Sequence, residues 1–141
     1  MIEPKGILHF TIGVTDLDRA TAFYQDIVVA TLVRQNRRRT MSFMDAGGGD
    51  LFVLTATGRH VAPNGPGDTE FHHAFVVAPE AYDAAVAHLE AKGIALLWPQ
   101  AKAEEGPDTR HNTFPGRHVY FHDPDGNGVE ITDCAAVADN L

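Results

Sequence analysis

Residues Phe71 to Ala78 read FHHAFVVA, an apolar, β-prone run with histidine set into it. Its reading decides the fold because Ile7 to Val14, ILHFTIGV, has the same character near the start of the chain. Aligning HFTIGV from His9 with HAFVVA from His73 gives an offset of 64 residues (9 to 73) in a chain of 141. The elements downstream of each run also repeat. After the first, Thr15-Asp16 supplies helix-start chemistry, and Ala20, Phe23, Tyr24 and Ile27 recur at helical spacing. Three strand-like stretches come next, about Ala30 to Asn36, Thr40 to Ala46 and Asp50 to Ala56. Arg37-Arg38-Arg39 and Gly47-Gly48-Gly49 supply the turns between them. After the second run, Pro79 to Lys92 is helix-like, with Pro79 where a first turn tolerates it and Gly93 as the stop. Ile94 to Trp98 is strand-like, and a long loop runs from Pro99 to about Gly116. Arg117 to His122, the turn Asp123-Pro124-Asp125-Gly126-Asn127 and the strand Gly128 to Asp133 close the series.

Strand, helix, three strands, given twice, predicts an α+β chain of two βαβββ modules. Each half leaves an apolar sheet face that the other must cover, so residues 1–141 are expected to form a single domain. Module one spans about 7–56 and module two about 71–133. The Gly- and Pro-rich stretch 57–70 (TGRHVAPNGPGDTE) is the linker.

The bulk composition excludes several classes of function. A hydrophobic share of 44% with 21% charged residues is that of a folded globular chain, not a disordered one. No apolar run approaches the roughly 18 residues of a membrane span, and Met1 to Gly6 shows no secretory signal. The lone Cys134 excludes an internal disulfide framework and fits a reducing cytoplasm. A net charge of −8 argues against nucleic acid, and three arginines at a hairpin end are more often solvated than phosphate-binding.

A lone histidine in a strand is more often a hydrogen-bonded core residue than a ligand. His9 alone would be read that way, but His73 at the matching place in the second half changes the balance. Glu130 adds a third donor. It lies in the apolar run Gly128-Val129-Glu130-Ile131, where an unpaired carboxylate would be costly to bury and a cation would remove the cost. Two imidazoles and a carboxylate also leave coordination positions open. By strand alternation His72 points away from His73, so it is read as structural. His9, His73 and Glu130 are the expected metal ligands.

With those residues and the DPDGN turn, the chain resembles the vicinal-oxygen-chelate superfamily along essentially its whole length. That group includes glyoxalase I, fosfomycin-resistance proteins, bleomycin-binding proteins and type I extradiol dioxygenases. The resemblance implies a curved, eight-stranded mixed sheet of two paired βαβββ modules around a metal site. It also implies a homodimer and a small-molecule substrate with vicinal oxygens, with neither nucleic acid nor membrane as partner.

Among the branches, glyoxalase I carries an acid in the last strand of its first module. Aligning Gly48 to Val53 with Gly126 to Ile131 puts Phe52 at that place, which disfavours the four-ligand lyase. Fosfomycin-type transferases share the three-ligand set and a threonine two residues after the first histidine, here Thr11. They have a short potassium-binding loop where this chain has a long one. The extradiol pattern fits best, reading His111, Val119-Tyr120, Asp123-Pro124-Asp125-Gly126 and Glu130 at the signature's spacings. It departs at Asp50, where those enzymes carry a second histidine; His60 is a candidate replacement.

The expectation is therefore a ring-cleaving dioxygenase acting on a catechol-like compound. One divalent metal ion is expected, Fe(II) first, with Zn, Mn or Ni as alternatives. His111 would shuttle a proton and Tyr120 would hydrogen-bond a substrate oxygen. The bland readings are an exposed loop histidine and a core aromatic. Alternatives of other classes are a fosfomycin-type thiol transferase, a glyoxalase-like lyase or isomerase, and a drug-sequestering binding protein.

Overall fold

The computed structural model describes residues 7–56, 71–97 and 116–134. The chain forms two compact units, Met1–Ala62 and Pro63–Leu141.

In the first unit, β1 (His9–Gly13) leads to α1 (Leu17–Asp26) and then to β2 (Thr31–Gln35), β3 (Met41–Asp45) and β4 (Leu51–Thr55). Asp16 caps α1, its carboxylate accepting the Arg19 amide at 3.0 Å. The sheet order is β1-β4-β3-β2, with β1 parallel to β4 and the remaining neighbours antiparallel. Pairs Phe10–Phe52 and Ile12–Leu54 share one face, and His9–Leu51, Thr11–Val53 and Gly13–Thr55 share the other. The first of these faces is the core. Phe10 stacks on Phe52 at 5.6 Å between ring centroids, and Tyr24 of α1 leans on Phe52 at 5.3 Å. Where polar groups enter this core they satisfy one another. The Thr21 hydroxyl reaches the Leu17 carbonyl at 2.6 Å and the Ser42 hydroxyl at 2.8 Å.

The second unit repeats the plan with one strand fewer. It runs β5 (His72–Val76), a 3-10 turn at Pro79–Ala81, α2 (Tyr82–Ala91), β6 (His118–His122) and β7 (Gly128–Thr132). Its sheet order is β5-β7-β6, again with the first strand parallel to the last. The strand expected at Ile94 to Trp98 is reduced, among the described residues, to one antiparallel bridge between Leu97 and Tyr120. Ile94 is still tied to the end of α2, its amide bonded to the Leu89 carbonyl at 3.0 Å, so little chain is left to pair. Among the described residues, seven strands stand where eight were expected. The helix expected from Pro79 likewise begins with a 3-10 turn, because Ala78 and Ala81 offer no side chain to cap the free amides.

Both ends of the β6–β7 pair are pinned. At the turn, buried Asp123 accepts from the Asp125 and Asn127 amides at 2.9 Å each and from the Asn127 side chain at 2.7 Å. Gly126 takes φ 86°, which the turn requires and glycine tolerates. At the other end Arg117 bonds Asp133 at 2.7 Å, Asp83 at 2.9 Å and the Pro79 carbonyl at 2.6 Å. Its guanidinium also lies 4.4 Å over the Tyr82 ring. The Arg117 bonds hold the Asp133 carboxyl below its ordinary value. Together the two anchors fix the β6–β7 register, which places Tyr120 opposite Glu130.

Candidate metal centre

Register decides which side chains meet in the second unit. Ala74 pairs with Glu130 and Tyr120 pairs with Glu130 on the other side, so those three share a face. By alternation His72, His118 and His122 lie on that face too, whereas His73, Phe75, Val119, Phe121, Val129 and Ile131 lie on the opposite one. The cluster forms around Glu130, which is only 5% exposed. His72 Nε2 lies 2.8 Å from its Oε2, and His118 Nδ1 lies 2.5 Å from its Oε1. Tyr120 donates its hydroxyl to the same carboxylate. Its pKa is pushed up to about 12, first by burial and then by the Glu130 charge and hydrogen bond. The Tyr120 ring meets His72 edge-on at 5.2 Å.

The expectation for His72 and His73 is therefore reversed. Alternation separates them as anticipated, but His72 is the one that faces Glu130. His73 turns to the core face, where its ring is hydrogen-bonded to the Gly128 backbone. Burial pulls its pKa below 6.5, with the Gly128 bond opposing and the charge of His72 adding. The error lay in the offset. His9–Gly13 and His72–Val76 show the same alternation of exposure, and each runs parallel to the last strand of its unit in the same register. His9 corresponds to His72, an offset of 63 residues (9 to 72), and Phe10 to His73.

The same register moves the fourth-ligand place. Thr11 pairs with Val53 as Ala74 pairs with Glu130, so Val53, not Phe52, occupies that position. Phe52 is wholly buried against Phe10 and Tyr24. The chemical consequence survives, since neither side chain can ligate.

Among the described residues no group of three or more His, Cys, Asp or Glu side chains is arranged to hold a metal ion. Within the cluster the two imidazoles reach different oxygens of Glu130 and do not converge on one point. The donor chemistry nonetheless fits a divalent cation at the His72 side, where an imidazole nitrogen and a buried carboxylate oxygen lie side by side. His111 and His60 lie outside the described residues, as does Trp98.

The family model described as "Glyoxalase/Bleomycin resistance protein/Dioxygenase superfamily" matches residues 6–131. The chain belongs to that superfamily. Glutathione transferase FosA of Serratia marcescens is 30% identical over 130 residues, covering 90% of this chain and 79% of the relative. Among solved structures, a glutamate-to-glutamine mutant of fosfomycin resistance protein FosX of Listeria monocytogenes, complexed with Mn(II) and 1S,2S-dihydroxypropylphosphonic acid, superposes with a TM-score of 0.70. It is 22% identical, with 94% of this chain and 93% of that one covered. A glyoxalase/dioxygenase from Nostoc punctiforme gives a TM-score of 0.70 at 23% identity, with 94% of each chain covered. These structures establish the fold.

The extradiol expectation is overturned by the transferase relative, which is not a dioxygenase. The structure shows why the signature misled. Tyr120 and Glu130 stand ten residues apart because they pair directly across a hairpin with a self-bonded DPDGN turn, an arrangement that any member with this hairpin shares. Iron(II) loses its support with that reading, and the metal present with the Listeria protein is Mn(II). Among the described residues no helix is long and apolar enough to cross a membrane.

Proposed function

We propose that this chain is a divalent-metal-dependent transferase that adds a thiol, glutathione in the first instance, to the epoxide of a phosphonate such as fosfomycin. The observation that carries the metal part is buried Glu130 with His72 Nε2 at 2.8 Å, facing away from the core. The thiol-transfer part is supported by the 30% identity with glutathione transferase FosA over 90% of the chain. Thr11, two residues after His9, agrees with that branch.

The proposed ligands in the second unit are His72 and Glu130, and His9 is carried over from the sequence expectation alone. The bound cation would supply Lewis acidity at an epoxide oxygen. Glu130 contributes negative charge and one directed oxygen, and His72 an imidazole nitrogen beside it. In the metal-free chain burial and then Glu130 push Tyr120 up to about 12, so there its hydroxyl is a hydrogen-bond donor.

The test is direct. Metal-free protein is loaded with Mn(II) and mixed with fosfomycin and glutathione, and phosphorus NMR follows the phosphonate. Consumption of fosfomycin with formation of a glutathione adduct, abolished by chelator, is the expected result. No consumption with glutathione or cysteine as cosubstrate sinks the transferase reading.

A further inference from the structure

We propose that His118 is a positioning residue that holds the Glu130 carboxylate so that Oε2, the oxygen beside His72, stays presented for a metal ion. The inference rests on the metal reading above. In the sequence, strand alternation places His118 on the same face as Tyr120 and makes it a second residue able to face a pocket.

Geometry is the first support. The two imidazoles divide the carboxylate, with His118 Nδ1 on Oε1 at 2.5 Å and His72 Nε2 on Oε2 at 2.8 Å. A glutamate's terminal torsion is broad and weakly preferred, so the carboxylate's orientation is set by its partners, His118 together with His72 and the Tyr120 hydroxyl. At 5% exposure it cannot find water in every orientation, and an unbonded oxygen there is costly. A donor fixed on Oε1 opposes rotation of the carboxylate and keeps Oε2 on the His72 side. His118 itself is held by β6, whose ends are pinned by the DPDGN turn and by Arg117.

The first unit supplies an internal control. Following the registers, Val53 stands where Glu130 stands, Phe43 where Tyr120 stands and Met41 where His118 stands. All three positions are apolar in the unit without the carboxylate, and all three are polar in the unit with it. The histidine of the first strand, by contrast, is kept in both. His118 and Tyr120 thus travel with Glu130 and not with the strand fold. Hydrogen bonds from outside the ligand set that orient a ligand are generally worth about 10- to 100-fold in metal affinity.

The experiment measures Mn(II) binding to full-length chain by electron paramagnetic resonance of the free ion, alongside the melting temperature of metal-free protein. His118→Ala should weaken Mn(II) binding by about 10- to 100-fold. The number of nitrogens coupled to bound Mn(II) should not change, since His118 is not a ligand. His118→Asn, whose amide N–H lies near the place of Nδ1, should recover most of the affinity. Wild-type affinity in His118→Ala, with His72→Ala weakened, overturns the proposal and leaves the metal reading intact. Loss of one coupled nitrogen in His118→Ala, or no recovery in His118→Asn at unchanged melting temperature, also overturns it. Failure of the wild-type protein to bind Mn(II) removes the metal reading and this inference together.

Discussion

The two units share a scaffold and differ in what they mount on it. In each, the first strand lies parallel to the last and begins with a histidine on the face away from the core, His9 in one and His72 in the other. Directly beside that histidine strand the second unit carries Glu130, hydrogen-bonded on both oxygens, and the first unit carries Val53. A repeated backbone therefore does not repeat a site. The cluster exists where an acid on the last strand is matched by donors on the strand antiparallel to it. The other unit keeps only the histidine.

The largest effect expected from this contrast separates His72 from His73. If correspondence runs from His9 to His72, then His72→Ala should weaken Mn(II) binding by at least about 100-fold, more than loss of an orienting bond alone. Glu130→Gln, which keeps shape but removes the charge, should do the same. His73→Phe should bind Mn(II) within about threefold of wild type, since it alters only the core face and no proposed ligand. Isothermal titration of metal-free protein reads all three. Normal binding by His72→Ala with loss in His73→Phe would restore the offset of 64 and reassign the faces.

Much of the fold was legible because periodicity and turn residues carry it. Strands β2, β3 and β4 fall inside the expected stretches, and Asp16 caps α1 as its position predicts. The strand at Ile94 to Trp98 was not legible, because an apolar run does not announce that its first residue is still closing a helix. The site was half legible. Glu130 stood out by chemistry, an acid in an apolar run. The pair His72-His73 could not be resolved by chemistry, as adjacent identical residues differ only in register. Phe52 failed by the same single residue. A one-residue slip exchanges every side chain between faces. His118 carried almost no signal, since a histidine two residues before a tyrosine has no meaning until the acid it meets is known.

A smaller effect concerns how the two helices end. Past α2, Gly93 adopts φ 70°, while past α1 the left-handed position is held by Val29 at φ 61°. For a β-branched residue this conformation is strained, whereas glycine takes it freely. The bond that closes the first helix, Ala30 amide to Tyr24 carbonyl at 3.0 Å, needs that turn of the chain. Val29 is 72% exposed, so its side chain contributes little packing to offset the strain. Val29→Gly should therefore raise the unfolding free energy by about 1 kcal/mol, part of the roughly 1–2 kcal/mol of left-handed strain being returned as chain entropy. Chemical denaturation at constant m-value measures it. A destabilised variant would mean that Val29 makes contacts worth more than the strain.

The smallest effect tests the core face, where Phe10 in one unit corresponds to His73 in the other. Burial lowers the His73 pKa below 6.5, so between the folded value and 6.5 the unfolded chain binds more protons than the folded one. Stability then rises with pH through that window and falls as acid is added below about 6.5. His73→Phe has no proton to gain, and it places a ring beside Val129 as Phe10 lies beside Phe52. The variant should lose less melting temperature than wild type on passing from about pH 7.5 to about pH 5.5, measured on metal-free protein with chelator present. The two proteins differ only at residue 73, so the difference between the two slopes isolates His73. The variant gives up the ring's bond to the Gly128 backbone, so its melting temperature at the upper pH is not the readout; the slope is. Equal slopes would mean that His73 holds its proton in the folded chain as readily as in the unfolded one. The ring would then not be as shielded from water as its place opposite the Glu130 face requires.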